Sequence, residues 1–214
     1  MNLWESRWQT DRIGFHLKEV NPYLMQFSDQ LMHQNPDRVF VPLCGKTLDL
    51  YWLTTKTKKV IGVELVSKAV QDFFTENNIA YSIQQDETLQ KFRSKSIDLY
   101  LGDFFDLNPE QTSSFKAIYD RASIVAIEKP ERREYVDHLI SFLDTEGRIL
   151  LITLEYNQNL MEGPPYSVPT EEIESLFEPL GSLKLLETCD ILDDRFRNKG
   201  LTRLLEHVFL IVKN

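Results

Sequence analysis

Glu64, Asp103 and Arg121 are charged residues that each follow a short apolar run, and the turn Pro42-Leu43-Cys44-Gly45 follows another. Charges at strand ends suit a ligand-binding α/β sheet, because ligands sit in the crevice outside the carboxyl ends of its strands. Arg38-Val39-Phe40-Val41 is β-branched and aromatic, stops at Pro42, passes through Gly45 and enters a helix-like segment from Leu48. A strand, turn and helix of this kind aims backbone N–H groups at whatever lies above the strand, and Gly45 permits close approach. Nineteen residues after Gly45, at the end of the run Lys59-Val60-Ile61-Gly62-Val63, stands Glu64. At that offset nucleotide-binding folds hydrogen-bond a ribose diol, so the spacing predicts an adenosine-containing ligand.

Two phosphate-binding readings of the turn fail. Gly45-Lys46-Thr47 matches the end of a P-loop, but the glycine required five positions earlier is Phe40. The dinucleotide pattern fails because Gly45 is the only glycine between residues 15 and 61. A ligand without phosphates fits better. Other residues admit two readings. Asp103, in Gly102-Asp103-Phe104-Phe105, is a turn-former or a ligand contact. Arg121, in Asp120-Arg121, is a structural partner of Asp120 or Glu155 or a functional cation. Trp4 and Trp8 share a helix face and either pack on the core or close over a ligand.

The elements that must position these groups alternate along the chain. Strands are expected at 39–41, 59–63, 97–101, 115–119 and 148–154, the last a continuous apolar run suited to burial on both faces. Helical segments lie between them: one from Leu48, one from Ser67 with Ser67 as N-cap, and one opened by Pro130. This alternation predicts a doubly wound, mostly parallel sheet. Leu183 to Leu186 and Leu204 to Val212 lack an intervening helix and should pair antiparallel, giving seven strands. Residues 1–35 carry Trp4, Trp8, Phe15, Tyr23 and Phe27 on two helices, an N-terminal helical lid on one domain spanning 1–214.

Composition narrows the class further. With 42% hydrophobic residues in 214, the chain can bury one substantial core. A net charge of −9 opposes binding to nucleic acid. Cys44 and Cys189 match no metal or redox spacing, which fits reduced thiols in a reducing compartment, and Cys44 reads as an inert filler. The start lacks a secretory pattern and the run Val208 to Val212 is too short to span a bilayer, so no membrane partner, a cytoplasmic location and a monomer are the expectations.

Several separated motifs carry a resemblance: WESRW with Phe15 following, VPLCGKTLDL, GVEL at 62–65, GDFF at 102–105, YDRAS at 119–123, and LLITLEY continuing into GPPYSV at 163–168. In order and spacing the chain resembles the thiopurine S-methyltransferase family from its first helix to its last strand. The resemblance implies a Rossmann-like class I methyltransferase fold that uses S-adenosylmethionine, yields S-adenosylhomocysteine and needs no metal. It places Trp4, Trp8, Leu43, Glu64, Asp103, Phe104 and Arg121 around the cofactor, with Asp103 and Phe104 at the adenine edge and face. It sets Phe15 and Arg195 at the acceptor and gives Arg121 and Arg195 catalytic roles. The acceptor it implies is a small aromatic thiol. Rival readings are a methyltransferase for selenium or tellurium nucleophiles, one for halide or thiocyanate, and a non-catalytic S-adenosylmethionine-binding module.

Overall fold

A computed structural model of the chain describes residues 3–86 and 88–214. Its strands are β1 (Arg38–Val41), β2 (Lys59–Glu64), β3 (Ser82–Asp86), β4 (Leu89–Arg93), β5 (Ile97–Leu101), β6 (Phe115–Arg121), β7 (Leu143–Glu155), β8 (Gly181–Asp190) and β9 (Leu205–Lys213). Its α-helices are α1 (Leu3–Gln9), α2 (Pro22–Leu31), α3 (Asp49–Leu53), α4 (Ser67–Glu76), α5 (Pro109–Thr112), α6 (Arg132–Ser141), α7 (Thr170–Phe177) and α8 (Asp194–Arg197). All nine strands join one sheet in the order β3-β4-β5-β2-β1-β6-β7-β9-β8.

The five central strands run parallel and the β8–β9 pair is antiparallel, as the sequence predicts. Nine strands rather than seven is the correction. Ser82–Asp86 and Leu89–Arg93 form an antiparallel hairpin that extends the sheet beyond β5. Ser-Ile-Gln-Gln-Asp is too polar to read as a strand, and at the sheet's edge it need not be apolar: Ile83 is 55% exposed. Only Leu89 and Phe92 of the hairpin's second strand turn into the core.

Burial on both faces explains the continuous apolar runs. Phe40, Ile61, Ile149 and Leu151 pack beneath α6 and α7, while Val39, Val41, Val60, Leu150 and Ile152 pack beneath α2, α3 and α4. Full burial of a side chain such as Phe40 is worth roughly 2 to 3 kcal/mol, and Phe40 adds stacked contacts to Phe115 and Phe142. Strand order reverses between β1 and β6, since β2 follows on one side and β6 lies on the other. The crevice therefore opens above the carboxyl ends of β1 and β6.

Pro22 starts α2 at its first turn, and Asn21 caps it by accepting from the amides of Tyr23 and Leu24 at 2.9 and 3.2 Å. Buried Asp49 accepts from the Asn21 amide at 2.8 Å and from the Tyr119 hydroxyl at 2.9 Å, which ties α2, α3 and β6 together. Ser67 is not an N-cap. The cap residue of α4 is Val66, whose amide is satisfied by Glu64 instead.

Candidate active site

The turn after β1 bends back over β2. Leu43 and Gly45 both have positive φ, 43° and 53°, a region costly for leucine. The Cys44 amide donates to the Val63 carbonyl at 2.9 Å. The Cys44 thiol fills the hollow above Gly62, where an added Cβ would lie 2.8 Å from its sulfur. Burial pushes that thiol's pKa well above its usual value, which suits a packing role.

Glu64 ends β2 beneath this turn. One carboxylate oxygen accepts from the Gly45 amide and the other from the Val66 amide, each at 2.8 Å. Burial raises its pKa, and these backbone donors act in the opposite direction by favouring the charged form. Each oxygen keeps a free lone pair, so the carboxylate can accept two further hydroxyl donors. That is the donor set a ribose diol supplies.

Residues 3–16 fold over the turn. Trp8 is 3% exposed and joins Val66 and Ala69 in a small apolar cluster apart from the main layers. Its ring lies 3.2 Å from where a Cβ on Gly45 would stand, so this N-terminal segment rests directly on the bare backbone of the turn. Trp4 and Trp8 both meet Phe15 edge-on, with ring centroids 5.8 Å apart in each case. The packing reading of Trp8 is the one these contacts describe, with the ring buried against the turn itself.

Arg121 forms neither of the two ion pairs the sequence suggests. It pairs with neither Asp120 nor Glu155 but donates to the Phe15 carbonyl at 2.7 Å. Asp120 points to the opposite face, where it accepts from the Tyr135 hydroxyl at 2.6 Å and burial raises its pKa to about 6. Glu155 instead meets His207 at 3.1 Å. Arg195, at the start of α8, places a guanidinium nitrogen 3.3 Å from where a Gly14 Cβ would be. The two arginines therefore flank the Gly14-Phe15 segment.

Asp103 caps a short 3-10 turn by accepting from the Phe105 amide at 3.0 Å, the turn-forming role, and remains exposed. Phe104 departs from expectation. Its ring is 4% exposed and packs among Phe40, Tyr135, His138 and Phe142, and its carbonyl accepts from the Leu107 amide at 3.1 Å and lies 3.0 Å from His138 Nε2, whereas Phe105 is 40% exposed. A Phe-Phe pair on a tight turn sends one ring inward, and the letters do not say which.

Three further groups enter the site without a signal in the sequence. Lys46 lies 6.0 Å from the Trp8 ring centroid and pairs with Glu76 at 2.6 Å. His16 has its pKa lowered by burial, then by Lys46, with Arg121 adding to the effect. Arg7 reaches across from α1 to the Pro164 carbonyl at 3.1 Å. These contacts join segments far apart in the chain. A separate cleft of about 390 Å³, lined in part by Glu155, Tyr156, Ser167 and Arg203, opens beside the end of β7 and shares no lining residue with the Glu64 turn. Among the described residues no helix is long and apolar enough to cross a membrane.

Solved structures share this architecture. A SAM-dependent methyltransferase from Anabaena variabilis matches with a TM-score of 0.64 over 100% of this chain and 96% of its own, at 16% identity. The N-methyltransferase NodS from Bradyrhizobium japonicum, solved in complex with S-adenosyl-L-homocysteine, matches with a TM-score of 0.62 over 95% and 97%, at 12% identity. At such identities the likeness is one of fold, and it sets the chain in the class I methyltransferase architecture. The family is shown by sequence. The family model for Thiopurine S-methyltransferase matches residues 1–214, and the Thiopurine S-methyltransferase of Pseudomonas fluorescens is 41% identical over 214 residues, 99% of this chain and 96% of the relative. The chain belongs to the thiopurine S-methyltransferase family.

Proposed function

We propose that this chain transfers the methyl group of S-adenosylmethionine to the sulfur of thiopurine-like aromatic or heterocyclic thiols, giving a thioether and S-adenosylhomocysteine. The observation that carries the reading is one arrangement: a buried carboxylate with two free lone pairs beneath a glycine turn, roofed by an aromatic lid that two arginines flank. When bound, the cofactor supplies an activated methyl on a cationic sulfonium.

The chain's own residues bind, orient and exclude water. Glu64 accepts the two ribose hydroxyls, and Leu43 and Gly45 offer main-chain groups to the methionine end. Asp103 and the Phe104 main chain address the adenine edge. Trp4 and Trp8 bring aromatic faces to the sulfonium, a cation–π contribution of ~1 kcal/mol or more when desolvated. Phe15 contacts the acceptor ring. Arg121 and Arg195 favour the ionised thiol, since a nearby cation lowers a thiol's pKa. A thiolate is already a good nucleophile, so alignment dominates, and well-oriented partners gain roughly 7 to 11 kcal/mol over free encounter. The reading carries a small-molecule acceptor, no metal, no nucleic acid, and a monomer in the cytoplasm.

A coupled assay of S-adenosylhomocysteine formation with 6-mercaptopurine, on wild type and Glu64→Ala side by side, tests it. Turnover in wild type that collapses in the variant through weaker cofactor binding supports the reading. Cofactor binding without methylation of any thiol rejects the acceptor class. The paired guanidinium groups favour selenium or tellurium oxyanions as the acceptors to try next.

A further inference from the structure

On the face of the sheet beneath α2, strand register brings a second carboxylate to the acceptor side. Arg121 pairs with Ile152, Ile152 pairs with Val208, and Glu206 lies two residues before Val208, opposite Leu154 on β7 and Cys189 on β8. Ile152 and Val208 belong to the apolar layer under α2, so Glu206, an even number of residues from Val208, projects to that same side. It stands one row nearer the carboxyl end of β7. Two strand spacings of ~5 Å and one row of ~7 Å separate the Cα atoms of Arg121 and Glu206 by roughly 12 Å, close enough for Arg121 to act on the carboxylate through space while its guanidinium donates to Phe15.

Glu206 is half-buried, and no hydrogen-bond donor engages its carboxylate among the described residues. Burial raises its pKa above the ordinary glutamate value, and Arg121 pulls it back toward the charged form. Tyr23, Tyr119 and Cys189 also face this carboxylate, and Glu206 itself helps to raise both phenols. Tyr119 donates to Asp49 at 2.9 Å, Glu187 accepts from Gln26 at 2.8 Å, and Tyr23 has its phenol pushed up by burial and then by Cys189. His16 lies near Arg121 but toward the Lys46–Glu76 pair, on the turn side.

We propose that Glu206 is the proton acceptor for acceptors that arrive protonated, a role that rests on the function proposed above. As the new sulfur–methyl bond forms, the sulfonium carbon–sulfur bond breaks and its electron pair stays on the departing sulfur, which becomes a neutral thioether. The proton of the acceptor's S–H, or of the ring N–H in its thione form, passes to a Glu206 carboxylate oxygen. The resulting carboxylic acid returns that proton to water. Arg121 serves both partners, holding Glu206 ionised before transfer and stabilising the thiolate as it forms.

The experiment compares two acceptors, 6-mercaptopurine held below its own ionisation and pentafluorothiophenol, already a thiolate. Glu206→Gln should lower kcat on the protonated acceptor by about 100-fold or more, the usual scale for losing a general base, and shift the ratio of the two rates by a similar factor. That deficit should close as pH rises through the acceptor's own ionisation. Apart from activity, carbon-13 NMR of glutamate-labelled protein without cofactor should show a carboxyl titrating above the ordinary glutamate range that is missing from Glu206→Gln, which separates it from the raised Glu64, with a midpoint that moves when 6-mercaptopurine binds. Glu206→Asp, which keeps a carboxylate, should retain more of the activity and provides the comparison if the glutamine variant folds poorly. Equal losses on both acceptors, a carboxyl midpoint indifferent to the thiol, or an acid limb that survives in Glu206→Gln but vanishes in His16→Gln would each overturn the role. Wild type that binds S-adenosylhomocysteine yet methylates neither thiol overturns the underlying function as well, and is recognised because no variant is then needed to see it.

Discussion

Glu64 does two jobs with one carboxylate. The amides of Gly45 and Val66 hold it in place and favour its charge against burial, and under the proposed function its remaining lone pairs receive the ribose hydroxyls. Removing it should cost the hydrogen bonds to a ribose diol, about 1.5 to 3 kcal/mol for each bond to a charged group. Glu64→Ala should therefore weaken S-adenosylhomocysteine binding by about 100-fold, which calorimetry would read directly. Asp120 shows the opposite economy, buried and with its pKa raised from 3.8 to about 6. The folded state binds the extra proton between those values, so this carboxyl's contribution to stability is greatest at the acid end and is lost as pH rises through about 6. Asp120→Asn should remove that slope, and denaturant melts should show the wild type losing up to ~3 kcal/mol relative to the variant across the window. The position of Glu64 at the end of β2, under the Gly45 turn, is legible in the letters because an offset along the chain fixes it. Phe104 was not, because the inward ring of Phe104-Phe105 is chosen by Phe40, Phe142 and His138, residues distant in sequence.

The turn between β1 and α3 depends on the strand beneath it. Gly62 in β2 leaves room for the Cys44 sulfur on one side and a Leu99 methyl on the other, 2.8 and 2.7 Å from an added Cβ. Gly62→Ala should destabilise the fold by about 1 to 3 kcal/mol through overpacking and lift the turn off Glu64, which would appear as a lower Tm together with weaker cofactor binding. The central strands could be read in advance because burial on both faces writes itself as unbroken apolar runs. The antiparallel β8–β9 pair was equally readable from the lack of a helix between its strands. The β3–β4 hairpin was hidden because an edge strand is stabilised by backbone pairing to its neighbour, and its side chains can stay polar. The α4 start misled for a related reason: the group that satisfies the Val66 amide comes from the preceding strand and not from Ser67.

Across the whole molecule the segment 3–16 is held by contacts that include four anchors: Trp8 on Gly45, Phe15 on Arg121, Gly14 against Arg195 and Arg7 on Pro164. The last is a single hydrogen bond at part-buried positions, worth about 1 kcal/mol, so Arg7→Ala should raise the opening equilibrium of residues 3–16 by about fivefold. Hydrogen exchange would show this as faster exchange confined to that segment, and unchanged protection there would reject the strap. The four anchors also set an order of events in the life of the chain. Residues 3–16 leave the ribosome before the surfaces they dock on, with Arg195 the latest of the four to emerge. Until Arg121 has been made, the segment carrying Trp4, Trp8 and Phe15 lacks its anchor on β6, and a nascent chain stalled ahead of that residue presents these rings to chaperones and proteases.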